Sequence, residues 1–179
     1  MIKTVFNLIN IKQIIIKPSM PSIYSNINTN TIEHIFPRSL IIDKKNENDM
    51  HNLYKCNKNI NEFRSNYKFV DKNDIELNEL WEKIDNNNYV NFKEKLFIPN
   101  KDSHGIISRA IMYMVYNYNY NYKKVINTEN LISWCLNNSP DNEEKYHNKE
   151  IYKYQGTNNI FISNYNKKNY IKFIKKLFN

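Results

Sequence analysis

Two short clusters hold the residues best suited to chemistry. Glu33 and His34 are adjacent, and Pro37, Arg38 and Ser39 follow within five positions. The second cluster runs Asp49-Met50-His51-Asn52-Leu53, with Asn61 ten residues after His51 and Arg64 and Asn66 close behind. Glu33 and Asn61 carry oxygens, the ligands a hard cation such as Mg²⁺ prefers; that ion keeps several waters and needs only one or two protein ligands. Imidazole titrates near neutrality, so His34 suits a general base, a role worth ~10²–10⁴-fold in rate. Arg38 and Arg64 offer planar forks that match phosphate. Activated water, a cation to relieve charge at a leaving oxygen, and phosphate-binding arginines together describe hydrolysis of a phosphodiester.

Each residue also has a plainer reading. An isolated Glu-His pair is ordinarily a solvated surface pair, and it is the joint pattern that lifts this one above that level. Arg64 is a phosphate contact, a salt-bridge partner or a helix cap. At His51 and Asn52 the plain reading is a side chain that caps a turn. The four histidines and two cysteines form no C-x-x-C or H-x₃-H pair, so a zinc site finds no support.

These side chains need elements to hold them. Residues 32–36 read as a short strand, 46–49 as a polar turn, and 51–54 as a second strand antiparallel to the first. Neighbours on a flat strand point to opposite faces, so a backbone twist or bulge is expected at Glu33 and His34 if both address one site. Residues 56–69 read as a helix with Ile60, Phe63 and Tyr67 toward the core and Asn57, Asn61 and Arg64 on another face. Strand, strand, helix is the resulting order.

Further along, a helix is expected over 71–85, with Asp74 as N-cap and Leu77, Leu80, Trp81 and Ile84 inward; Asn86–Asn88 reads as a loop that breaks it. A long helix is expected from about His104, with Ile107, Ala110, Ile111, Met114 and Tyr118 on one face and His104 at the surface. Arg109 reaches nucleic acid or is a buried, paired arginine, the second being the expectation. The Tyr-Asn alternation from Tyr116 to Tyr122 reads as a frayed last helix turn or a loop. Thr128 is expected to cap one helix. Ser139 and Pro140 are expected to start another that stops at Gly156, and a basic amphipathic helix spans 165–178.

The segments E-H-x-x-P-R-S (Glu33 to Ser39), D-x-H-N-L (Asp49 to Leu53) and N-x-x-R-S-N (Asn61 to Asn66) resemble the core of the endonuclease I family, within the ββα-metal nucleases. Phe97-x-Pro99, the stretch from Gly105 to Met114 and Gln155-Gly156 extend the likeness, although His104 and Ile106 replace a family Lys and Asp, and the Arg and Pro after Gln155-Gly156 are missing. The resemblance implies an α+β fold: a ββα-metal finger core, a short β-hairpin plus helix, surrounded by helices. It implies one Mg²⁺ on Glu33 and Asn61, with Mn²⁺ or Ca²⁺ as substitutes, and His34 as the base. It also implies largely sequence-nonspecific cleavage to 5′-phosphate and 3′-hydroxyl ends. Catalysis is assigned to His34 and Arg64 and phosphate binding to Arg38 and Arg64; His51, Asn52, Asn66 and Arg109 are structural or unassigned.

Bulk properties agree with a single domain. The chain has 179 residues, 41% hydrophobic and 14% aromatic, with a mean hydropathy of −0.74. Residues 1–22 are expected to form an N-terminal extension, either separate from the fold or part of it, and 23–179 the endonuclease I-like domain. The net charge of +8 and pI near 9.3 favour a polyanion, with double-stranded DNA the expected partner and RNA the alternative. The abundance of Asn, Lys, Ile and Tyr suggests AT-rich coding DNA. Against that drift the three arginines, Arg38, Arg64 and Arg109, all fall inside the matched segments. No run approaches the ~18 apolar residues of a membrane helix. Two distant cysteines suggest no disulfide framework, favouring a reduced, intracellular setting over secretion. A monomer is expected. The competing reading is a nucleic-acid-binding module on the same fold without turnover.

Overall fold

The structure, a computed structural model, describes residues 8–85 and 87–178. It begins with helix α1, Leu8–Ile15. Strand β1 is Ser22–Ile23, β2 is Thr29–His34 and β3 is Leu53–Asn57. β2 runs antiparallel and β1 parallel to β3, giving the order β1-β3-β2. Helix α2, Lys58–Arg64, follows at once, its start capped by the Asn57 side chain on the Asn59 and Ile60 amides.

Of the second-cluster elements, the strand is shifted along the chain and the helix is shorter than expected. The strand begins at Leu53 rather than His51, because 50–52 form a 3₁₀ turn capped by Asp49. The helix ends at Arg64, not Phe69: Ser65 takes a positive φ of 51°, which halts α-helical bonding. Phe63, expected in the core, is 40% exposed and meets Phe92 edge-on.

The next segment departs most from the sequence reading. No helix covers 71–85. A 3₁₀ turn, 72–74, is capped by Asp71, and a second sheet follows. Its strands are β4 (Lys68–Phe69), β5 (Glu82–Lys83), β6 (Tyr89–Asn91) and β7 (Leu96–Ile98), ordered β4-β7-β6-β5. Helical spacing of Leu77, Leu80, Trp81 and Ile84 is overridden by pairing: Ile84 donates to Asn88 O, and the turn closes through Asn88 N to Asp85 O. Asn88 is no loop filler, since it is fully buried.

Helices dominate the remainder. α3 is His104–Tyr118, closed by Asn119 at φ 56°, so the Tyr-Asn alternation is a helix end followed by loop. α4 is Thr128–Asn137, capped by Asn127 rather than Thr128. α5, Asn142–Gln155, is capped by Asp141 rather than Ser139 and ends at Gly156, whose φ of 74° is the left-handed conformation expected there. α6 is Ile160–Ser163 and α7 is Tyr170–Phe178, so the final helix starts five residues later than expected. The buried core spreads from β1 and β3 across α3, α4, α6 and α7. A smaller cluster joins Ile11, Ile14, Ile15 and Met20 to Met50, Leu53 and Ile151. Lys55 Nζ donates to Lys17 O and Pro18 O, holding the chain that leaves α1 against β3.

His104, expected at the surface, is buried. Its ring stacks on Trp134 at 3.7 Å, and Nδ1 lies 3.7 Å from Asp71.

His147 is buried against Tyr54, its ring 4.3 Å away, and Nε2 lies 3.2 Å from Leu53 O. Burial pushes its imidazole down to about 3. The free chain titrates near 6.5, so the unfolded state binds the extra proton. The stability this group contributes is therefore complete above pH 6.5 and lost as pH falls toward 3. We expect His147→Gln, which keeps an N–H donor, to lower the slope of unfolding free energy between pH 6.5 and 4 by roughly 1.4 kcal/mol per pH unit. Urea unfolding at several pH values measures this, and an unchanged slope would assign the acid sensitivity elsewhere.

Candidate active site

Of the first cluster, Arg38 and Ser39 sit in the 3₁₀ turn that follows β2, and the Glu33-His34 pair ends β2 itself. The ladder is regular there, with Glu33 opposite Tyr54 and His34 opposite Leu53; the irregularity in this strand falls between Thr29 and Thr31 instead. The bulge expected at Glu33–His34 is absent, so the two side chains leave on opposite faces. Glu33 turns inward and is 2% exposed. His34 turns toward the loop before β3, where its Nε2 lies 3.1 Å from Glu47 O.

Glu33 is held by two neighbours on one oxygen. Tyr24 Oη donates to Oε1 at 3.0 Å, and Arg64 Nη1 pairs with the same atom at 3.1 Å. Burial pushes the carboxyl above its ordinary range, opposed by the Arg64 guanidinium and the Tyr24 hydroxyl. Asn61, on α2, donates from Nδ2 to Ile32 O at 3.0 Å, which commits its nitrogen to the strand.

Arg64 is 1% exposed and points into the protein. Besides Glu33, it donates to His34 O, Ser65 O and Ile35 O at 3.3, 3.0 and 2.7 Å, and it lies 4.4 Å over the Phe69 ring. A helix of two turns thus clamps β2 through both Asn61 and Arg64. Arg38 differs: its side chain is 64% exposed and makes a 3.5 Å ion pair with Glu47. Burial, with Arg38 and Arg64 adding to it, lowers His34 to about 4. The imidazole is neutral at pH 7, and with Nε2 directed at a carbonyl, Nδ1 is the nitrogen placed to accept a proton.

The other sequence-selected residues serve the frame. Asn52 bridges the hairpin mouth, accepting from Phe36 N at 2.6 Å and donating to Phe36 O at 2.9 Å. Asn66 donates to Ser39 Oγ at 3.2 Å. His51 is buried beside Tyr113, with Nε2 2.9 Å from Thr157 O. Arg109 is buried with Glu144, donating from Nε to Oε1 at 2.7 Å, and caps Asn138 O. Gly105 makes room for that pair: a Cβ there would stand 2.5 Å from Arg109 Nη2 and 2.9 Å from Asn138 Cβ.

Several contributing residues carry no role in the sequence reading. Glu47 offers its carbonyl to His34. Asp49 is a buried hub: Oδ2 accepts from Tyr113 and Tyr118, and Oδ1 accepts from His51 N at 3.0 Å and Gln155 Nε2 at 2.9 Å. Tyr24 belongs to no motif. Its only sequence signal is an aromatic residue in a turn after Pro21.

Among the described residues no three His, Cys, Asp or Glu side chains converge as a metal-binding group. The donor set is one carboxylate and one amide. It consists of oxygens only and occupies two positions, which fits a hard, partly hydrated cation rather than zinc.

A family model, Endonuclease I, matches residues 19–166, from just before β1 to just after α6. No curated protein matches the chain. The family match, over an α+β fold, defines a hydrolytic nuclease acting on nucleic acid. The chain belongs to the endonuclease I family. Among the described residues no helix is long and apolar enough to cross a membrane.

Proposed function

We propose that the protein is a metal-dependent, largely sequence-nonspecific endonuclease, cutting double-stranded DNA to 5′-phosphate and 3′-hydroxyl ends. The observation that carries this reading is the division of labour at Glu33. Tyr24 and Arg64 both occupy Oε1, so Oε2 is the oxygen offered to a cation, beside the Asn61 amide. β2, β3 and α2 would then be the ββα-metal finger.

Bound by Glu33 and Asn61, Mg²⁺ would supply Lewis-acid charge relief at the scissile phosphate and its leaving oxygen, with Mn²⁺ or Ca²⁺ as substitutes. β2 is an edge strand of its sheet, so a phosphate lying along that edge would meet Glu33 from one face and His34 from the other. His34 takes the proton of the attacking water at Nδ1; the water oxygen bonds to phosphorus and the bond to O3′ breaks. The Glu47 carbonyl holds the ring in the tautomer that leaves Nδ1 basic. Arg38 is the exposed guanidinium beside His34 and contacts substrate phosphate. Arg64, spent on Glu33 and three carbonyls, supports the site through Glu33 rather than by touching phosphate.

Supercoiled plasmid incubated with the purified protein in Mg²⁺ and in EDTA tests the proposal. Nicking and linearisation are expected in Mg²⁺ only, and the nicks should be sealed by DNA ligase without prior kinase treatment. A salt-sensitive gel shift with no cleavage in either buffer would replace the enzyme with a binding module.

A further inference from the structure

Tyr24 is held in a backbone conformation that a bulky L-residue rarely adopts. Its φ is 67°, in the left-handed region where non-glycine residues persist only when their surroundings over-determine them. The surroundings here do so. Tyr24 N donates to Ser103 Oγ at 3.0 Å. Its carbonyl accepts from Asn88 Nδ2 at 3.0 Å and also from Asn100 Nδ2. All three partners are buried, and they come from the β5–β6 turn and the approach to α3. The ring is wedged against Phe97 and Phe69, with centroids at 5.1 and 6.4 Å.

The hydroxyl at the end of this clamped residue meets Glu33 Oε1. A core tyrosine needs only some acceptor for its O–H; this one is aimed at the single carboxylate on the inner face of β2. Two donors on the same oxygen fix the carboxylate's rotation, and the opposite oxygen is thereby aimed in one direction. Groups that orient a ligating carboxylate tune cation affinity without touching the cation.

We propose that Tyr24 is a positioning residue, clamped in a strained backbone by Ser103, Asn88 and Asn100 so that its hydroxyl locks one oxygen of Glu33 and presents the other to a divalent cation. The inference rests on the reading of Glu33 as a cation ligand.

The test is titration of the full chain with Mn²⁺ alone, read by the electron paramagnetic resonance of free Mn²⁺, for the wild type, Tyr24→Phe and Glu33→Gln. Circular dichroism confirms folding at the titration temperature. We expect Glu33→Gln to abolish the site and Tyr24→Phe to weaken binding roughly 10- to 100-fold in a folded protein. A Tyr24→Phe protein that binds Mn²⁺ like the wild type, while Glu33→Gln does not bind, overturns the positioning role and leaves the ligand reading intact. Glu33→Gln binding like the wild type, or a wild type that binds no Mn²⁺, overturns the ligand reading and the proposal with it. Should Tyr24→Phe not fold, Ser103→Ala, which removes one hydroxyl from the clamp, is titrated in its place: weakened binding supports the proposal and unchanged binding overturns it.

Discussion

Replacing Arg64 with methionine will destabilise the protein by about 3–5 kcal/mol, the usual cost of stripping one partner from a buried ion pair. The side chain's volume is roughly kept, so the loss is electrostatic. Glu33 would be left buried at 2% exposure without its cation, and His34 O, Ile35 O and Ser65 O would lose their donor. At 150–250 residues 1 kcal/mol moves the melting temperature by about 2–4 °C, so a fall of roughly 10 °C is expected in a thermal scan. Arg64→Lys should recover the charge but not the fork that reaches three carbonyls at once. The double variant with Glu33→Gln should lose less than the sum of its parts, because the unpaired charge is gone. A loss under 1 kcal/mol in Arg64→Met would show that the carboxylate does not depend on this guanidinium.

The second large effect concerns His34. Its imidazole is neutral at pH 7 and directed by Glu47 O, and we expect His34→Ala to lower single-turnover cleavage by ~10²–10⁴-fold. Mn²⁺ affinity should be retained, because the ring leaves β2 on the face opposite Glu33. The fold should be retained too, since the side chain makes one bond to a loop carbonyl. Added imidazole should restore part of the rate by filling the vacated space. Cleavage within tenfold of the wild type would remove His34 from the reaction and direct attention to another base.

The cluster on β2 was legible because its residue types are chemically scarce in this chain. Glu33-His34 and Arg64 stand out against an Asn- and Lys-rich background, Asn61 is picked out only by its spacing from His51 and Arg64, and together these positions fall on a hairpin and the next helix. The buried face of α3 and the left-handed Gly156 were legible because each is a local effect of period or backbone freedom. The second sheet was not: strands of two or three residues carry no period, and Leu77, Leu80, Trp81 and Ile84 mimic a helix stripe until pairing with β6 decides the matter. Tyr24, Asn88 and Asn100 were hidden for another reason. Asparagine is so common here that two buried, fully employed copies look like the rest. A positive φ on tyrosine is set by partners up to 79 positions away. Arg64 was legible as important, but its inward direction was not, because only the packed strand supplies its carbonyls.

The Asp49 hub has a consequence for how the molecule can come apart. Its side chain is tied to residues 64, 69 and 106 positions away, yet it sits in the loop that also carries Glu47. The motif region 32–66 is contiguous along the chain, but its footing is supplied by α3 and α5. A miniature cut at residue 70 would contain Glu33, His34, Arg38, Asn61 and Arg64 but neither Tyr113 nor Tyr118, which anchor the loop. Hydrogen exchange should accordingly show the β2–β3 amides opening with α3 in a single cooperative unit, rather than as an independent hairpin. Such non-local closure is slow to form, so the residues that read as one neat motif should be among the last to gain their working arrangement.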